Sequence, residues 1–153
     1  MLYFFIGLVL VLVDFFSKRA AILHLKGKSN IEIISGVLRL NYVENTGAAF
    51  GILKNMRWLF VLTTLIMIVI LYVWFNKSYF KNEFMRFGIV IVIAGAIGNL
   101  VDRLIYGYVV DFIDFYLINF PVFNIADCLV CIGAGMLLIH YIFLEKEKKD
   151  VKS

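Results

Sequence analysis

FGIVIVIAGAIGNLVDRLI, residues 87–105, is apolar until Asn99 and turns polar only near its end. A run of about 20 such residues matches the thickness of a bilayer's hydrocarbon core. A helix this apolar on every face also lacks the solvated face of an ordinary surface helix. Its polar minority is ordered: Gly95, Asn99 and Arg103 follow at i+4 steps, with Gly98 and Asp102 on the neighbouring ridge. Small residues admit another helix at close range, and the polar ones must then face protein rather than lipid. The stretch reads as one membrane span of a helical bundle.

The rest of the chain agrees. Its 153 residues are 63% hydrophobic and 17% charged, with mean hydropathy +0.93, too little polar surface to cover a water-soluble core. Comparable runs near 2–23, 58–75 and 125–143 bring the expected spans to four, in a single integral-membrane domain over 1–153 with outer segments near 25–56 and 107–124. Within the first outer segment, VLRLNYV (37–43) alternates apolar and polar residues as a half-buried strand does. Gly36 before it and NTG (45–47) after it are turn signals. The expected fold is a membrane all-α bundle of four transmembrane helices with a small extracytoplasmic β-sheet resting on the membrane surface.

The first run has no basic n-region and no clear small-residue cleavage site, so it is expected to stay attached rather than act as a cleaved signal peptide. Lys77, Lys81 and Arg86 lie between spans two and three, and Lys146, Lys148, Lys149 and Lys152 follow span four. The positive-inside rule assigns both segments, and hence both termini, to the cytoplasm. Lys26, Lys28, Arg39 and Lys54 in the first outer segment weaken that bias, whereas 107–124 holds no Lys or Arg. Because these cations edge the spans, the net charge of +4 does not call for nucleic acid.

Ionisable groups at membrane depth cost about 2.5 to 3.5 kcal/mol each on insertion scales, so each needs a partner or a task. Asp14 and Lys18 are four apart, acid first, the favourable order for a structural ion pair near the interface. Arg103, near the outer end of its span, is suited to an anionic or carbonyl-rich partner. Asp111 and Asp127 flank the connection between spans three and four, whose ends a helical hairpin brings together. Asn124 and Asp127 share one face of the first turn of span four. Two carboxylates at one partly dry site share a proton, one serving as base and the other as acid, which is the equipment for peptide hydrolysis. Interface solvation, a helix N-terminal charge and a proton relay are commoner meanings of such acids. Asp114 reads as a solvated loop residue. Cys128 and Cys131 form CxxC with no second pair or βαβ context, and His24 and His140 are far apart, so neither set argues for a metal.

The ordered motifs DFFSK (14–18), NTGAAFG (45–51), GAIGNLVDR (95–103), VVDF (109–112) and FNIAD (123–127) together resemble the bacterial lipoprotein signal peptidase family, signal peptidase II, over essentially the whole chain. The resemblance implies an intramembrane aspartic endopeptidase that removes the signal peptide of prolipoproteins on the amino side of a diacylglyceryl-modified cysteine. It implies that Asp111 and Asp127 are the catalytic pair and that Asn45, Gly47, Asn99, Arg103 and Asn124 surround the pair and the substrate. Asp14, Lys18 and Asp102 are then structural polar residues. It further implies a sheet cradle with a mobile loop over the site, no metal or other cofactor, and membrane lipid as a partner. The expected setting is a monomer in the bacterial cytoplasmic membrane with its site near the extracytoplasmic face. One departure is Cys128, where a Ser is common in the family and would hydrogen-bond more strongly. The rival expectation is a non-enzymatic four-span proton or cation conduit, or transporter subunit, lined by Asp111, Asp127 and Arg103.

Overall fold

The structure, a computed structural model, describes residues 1–48, 52–77 and 82–144. Phe50 of the NTGAAFG motif, Lys81 and the tail lysines Lys146, Lys148, Lys149 and Lys152 lie outside the described residues. The elements in chain order are α1 (Leu2–Leu25), β1 (Ile31–Ile34), β2 (Leu38–Asn45), α2 (Arg57–Asn76), α3 (Glu83–Ile105), β3 (Val109–Asp114) and α4 (Ile125–Ile139). A turn of 3-10 helix at Tyr116–Ile118 precedes α4, and a π-helical turn at His140–Leu144 extends it. Among the described residues, three helical stretches are long and apolar enough to cross a membrane: Arg57–Asn76, Glu83–Ile105 and Ile125–Phe143. Helix α1 is as long, but Asp14, Lys18 and Arg19 interrupt its apolar run.

Helix α3 is the hub, packing against α1, α2 and most extensively α4. Asn82 caps it, its side chain accepting from the Phe84 amide at 2.9 Å, and Gly107 (φ 85°) turns the chain out of it. The α3–α4 seam is set by missing side chains. A Cβ on Gly133 would lie 2.7 Å from the Gly88 carbonyl oxygen and 2.9 Å from the Val92 amide nitrogen, both backbone atoms that can yield only if the helices part. On Gly95 it would strike the Ala126 carbonyl, and on Gly98 the carboxylate of Asp14. The glycine stripe seen in the sequence thus brings α4 and the polar end of α1 against α3.

The three strands form an antiparallel sheet in the order β1-β2-β3. Gly36 (φ 77°) makes the turn between the first two, and β2 takes up the alternating stretch from Leu38 and extends it to Asn45. The connection after α3 is more structured than a loop, since it begins as β3, paired with Val43 opposite Asp111 and Asn45 opposite Val109. Strand β3 is buried on both faces, which removes the alternation that would have exposed it in the sequence. A bridge then closes the segment: the Ile113 amide donates to the Phe123 carbonyl at 2.8 Å, and the Phe123 amide donates to the Ile113 carbonyl at 3.0 Å. That bridge returns the chain to β3 just before α4 starts.

Gly133→Ala should lower the melting temperature in detergent markedly, overpacking typically costing about 1 to 3 kcal/mol. Gly135→Ala, whose Cβ would meet nothing within 4 Å, should not. Equal melting temperatures for the two variants would contradict this account of the seam.

Candidate active site

Four elements deliver the polar residues to one place. The β2–β3 register sets the end of β2 beside Asp111, and Asn45 Nδ2 donates to Asp111 Oδ2 at 2.8 Å. Helix α4 opens with a reciprocal capping box: Asn124 Oδ1 accepts from the Asp127 amide at 2.9 Å, and Asp127 Oδ2 accepts from the Asn124 amide at 3.1 Å. The Asn124 side-chain amide reaches Asp111 Oδ1 at 2.6 Å and Asn99 Oδ1 at 3.1 Å. From α3, Asn99 Nδ2 donates to Asp127 Oδ1 at 2.8 Å. Two asparagines therefore bridge the two carboxylates, each turning its donors toward an acid.

Below this bridge lies a buried charge cluster. Lys18 Nζ sits 2.9 Å from Asp14 Oδ2, 3.1 Å from Asp102 Oδ2 and 2.9 Å from Asn99 Oδ1, and Asp14 and Lys18 are only 0% and 3% exposed. Asp14 Oδ1 also accepts from the Ala126 amide at 2.8 Å, and Asp102 Oδ2 from the Val110 amide at 3.0 Å. The expected interface pair is thus an interior joint that ties α1 to α3, to the start of β3 and to the start of α4.

Arg103 has a carbonyl partner within the chain. Its Nη2 donates to the Gly47 oxygen at 3.2 Å, and the guanidinium lies over the Phe60 ring at 4.8 Å. The Gly47 amide donates to Asn45 Oδ1 at 2.9 Å, so Arg103 and Asn45 together hold the segment after β2.

The expectation for Asp114 needs correcting. It ends β3 rather than sitting in a solvated loop, is 5% exposed, and accepts from Arg39 Nε at 2.7 Å and Asn41 Nδ2 at 3.2 Å. Arg39 stands opposite it in the strand register, so the ion pair is a cross-strand clasp. In the sequence Arg39 and Asn41 show as the polar positions of an alternating strand, with no partner in view. Recognising β3 would have revealed their partner.

The carboxylates open on a groove of about 520 Å³, whose wall also includes Asn45, Asn99, Arg103, Met67, Phe123 and Val130. Cys128 and Cys131, both free thiols, line it as well. Asp111 is 1% exposed. Burial, reinforced by the negative charge of Asp127, pushes its carboxyl up to about 7, while the Asn45 and Asn124 hydrogen bonds pull it back only in part. Near neutral pH this carboxyl exchanges a proton. Among the described residues no group of three or more His, Cys, Asp or Glu side chains is gathered as a metal site.

Fold and site together define a helical membrane protein with two acids held at the mouth of an apolar groove. The family model described as "Signal peptidase (SPase) II" matches residues 6–143. A lipoprotein signal peptidase of Clostridioides difficile (strain 630) is 42% identical over 153 residues, covering 97% of this chain and 100% of the relative. Another from Halalkalibacterium halodurans is 35% identical over 155 residues, covering 100% of this chain and 99% of the relative. A solved structure of a bacterial membrane enzyme superposes with TM-score 0.85 at 34% identity, covering 97% of this chain and 90% of that one. The chain belongs to the signal peptidase II family, a family of peptidases.

Lys18→Met should destabilise the protein by about 3 to 5 kcal/mol, because it strands two buried carboxylates. Lys28→Met, at an exposed residue, should stay within about 0.5 kcal/mol of wild type. Chemical denaturation in micelles measures both, and a small loss for Lys18→Met would contradict the interior joint.

Proposed function

We propose that this protein is an intramembrane aspartic endopeptidase that removes the signal peptide of diacylglyceryl-modified prolipoproteins by cutting on the amino side of the modified cysteine. The observation that carries the reading is the pair Asp111 and Asp127, bridged by Asn99 and Asn124 at the head of an apolar groove. Family membership supplies the substrate class, since the relatives above are lipoprotein signal peptidases.

In this mechanism the scissile peptide lies across the two acids. The ionised carboxylate takes a proton from water as the water oxygen attacks the carbonyl carbon, and the protonated carboxyl hydrogen-bonds the developing oxyanion. Collapse of the tetrahedral intermediate breaks the C–N bond, and a proton passes to the departing amine of the modified cysteine. Asn99 and Asn124 keep both carboxylates aimed at the same point. Arg103 and Asn45 fix the Gly47 segment at the groove's edge. The groove's apolar wall suits an apolar signal peptide and acyl chains.

Helix α1 is the fourth span in this reading. Its Asp14 and Lys18 are spent on protein partners and hidden from lipid, so they remove the objection that composition raises. The whole chain then forms one monomeric domain in the bacterial cytoplasmic membrane. Both termini are cytoplasmic, as the Lys77 and Arg86 side of the bundle requires, and the sheet and acids lie at the extracytoplasmic face. The conduit reading has no support in the relatives, and among the described residues the buried side chains of α3 before Gly95 include Met85, Ile89, Ile91, Val92 and Ala94 and no charged group.

Asp111→Asn and Asp127→Asn should each lower cleavage of a diacylglyceryl-modified prolipoprotein by about a thousandfold or more while the proteins still fold. Asp114→Asn should lower the melting temperature yet keep at least about a tenth of the wild-type rate, because its partners are structural. Near wild-type cutting by either of the first two would sink the dyad.

A further inference from the structure

Asp111 stands between two cavities. Besides the apolar groove, a second space of about 460 Å³ opens on the sheet side and is lined by Glu44, Asn45, Thr46, Lys54 and Asp111 among others. Asn45, Ala48, Asp111, Pro121 and Val122 belong to the walls of both, so a chain lying past Asp111 passes from one into the other. The two linings differ as the two halves of a signal-bearing chain differ. The groove has Met67, Ala96, Phe123 and Val130 from the membrane-type helices and the segment before α4. The outer space also has apolar walls, Val43, Ala48, Pro121 and Val122, but adds Glu44, Thr46 and Lys54 from the end of β2 and the turn before α2.

Among the described residues, three ionisable side chains line the outer space, Glu44, Asp111 and Lys54. Glu44 is already held by Lys26 at 2.8 Å and by the Tyr42 hydroxyl at 3.0 Å. Among the described residues no carboxylate forms an ion pair with Lys54. Lys54 is also presented on a fixed turn. Leu53 (φ 57°) and Asn55 (φ 64°) on either side of it are both left-handed, and the Asn55 amide donates to the Thr46 carbonyl at 3.1 Å. A left-handed Leu costs conformational energy that an idle turn would shed.

We propose that this outer cavity receives the polypeptide on the carboxyl side of the cut bond, and that Lys54 there favours an acidic side chain just after the modified cysteine. The inference rests on the peptidase reading and adds to it a specificity residue. An exposed ion pair of this kind is worth a modest factor and is weakened by salt.

The test uses three synthetic diacylglyceryl-cysteine peptides that differ only in the residue after the cysteine, Asp, Asn or Lys. Cleavage is followed in micelles with the full-length wild type, Lys54→Gln and Lys54→Glu. The readout is the ratio of kcat/KM for the Asp and Lys peptides within each protein, so a change in folded fraction cancels. The wild type should prefer Asp by about two- to fivefold at low salt, Lys54→Gln should bring the ratio near one, and Lys54→Glu should invert it. About 0.5 M salt should flatten all three. Cleavage of every peptide with a ratio that Lys54→Glu leaves unchanged overturns this inference alone. Failure of the wild type to cut any peptide overturns the peptidase reading and this inference with it.

Discussion

The buried ammonium of Lys18 is the interaction on which the site depends. It lies between Asp14 and Asp102 and also donates to Asn99 Oδ1. Because an ammonium can only donate, it fixes which end of the Asn99 amide faces it, and the other end must then point its hydrogens at Asp127. Asn124 is oriented by the same logic, giving its hydrogens to Asn99 Oδ1 and Asp111 and its oxygen to the Asp127 amide. A single positive charge from α1 thus sets the direction of a hydrogen-bond chain that ends on both acids. The charge is expensive to bury, and its partners repay that cost only while the helices stay packed.

Packing and chemistry are coupled through the glycines. Gly98 leaves room for Asp14, and Gly95 for the start of α4, so the stripe that lets the helices touch also brings the capping box within reach of Asn99. The sheet contributes the other acid. Strand β3 has both faces covered, and that burial holds the Asp111 carboxyl well above the usual range. Burial and the nearby charge of Asp127 both raise that carboxyl, so half of the proposed acid–base pair is tuned by where the fold places it.

Much of this was legible in the sequence, for identifiable reasons. The long apolar runs announce α2, α3 and α4, and the alternation over 37–43 announces β2. Asp111 and Asp127 stood out because acids are costly in such a chain. Strand β3 was hidden because burial on both faces erases the period-two pattern. Asp114 was misread as solvated for the same reason, since its partner Arg39 is visible only once β3 is paired with β2. The depth of the Asp14–Lys18 joint was hidden too. Spacing shows that two residues share a helical face, but only tertiary structure supplies the Ala126 amide and Asp102.

The central claim is that the buried carboxyl of Asp111 keeps its proton up to near neutral pH. The direct measurement is infrared difference titration of the carboxyl groups in wild type and Asp111→Asn. The account predicts a protonated-carboxyl band that is present at about pH 5, where an ordinary aspartate is ionised. That band should be lost with a midpoint near 7 and be missing from Asp111→Asn. A wild-type protein with no carboxyl band titrating above about pH 5, or a band unchanged in Asp111→Asn, would contradict it.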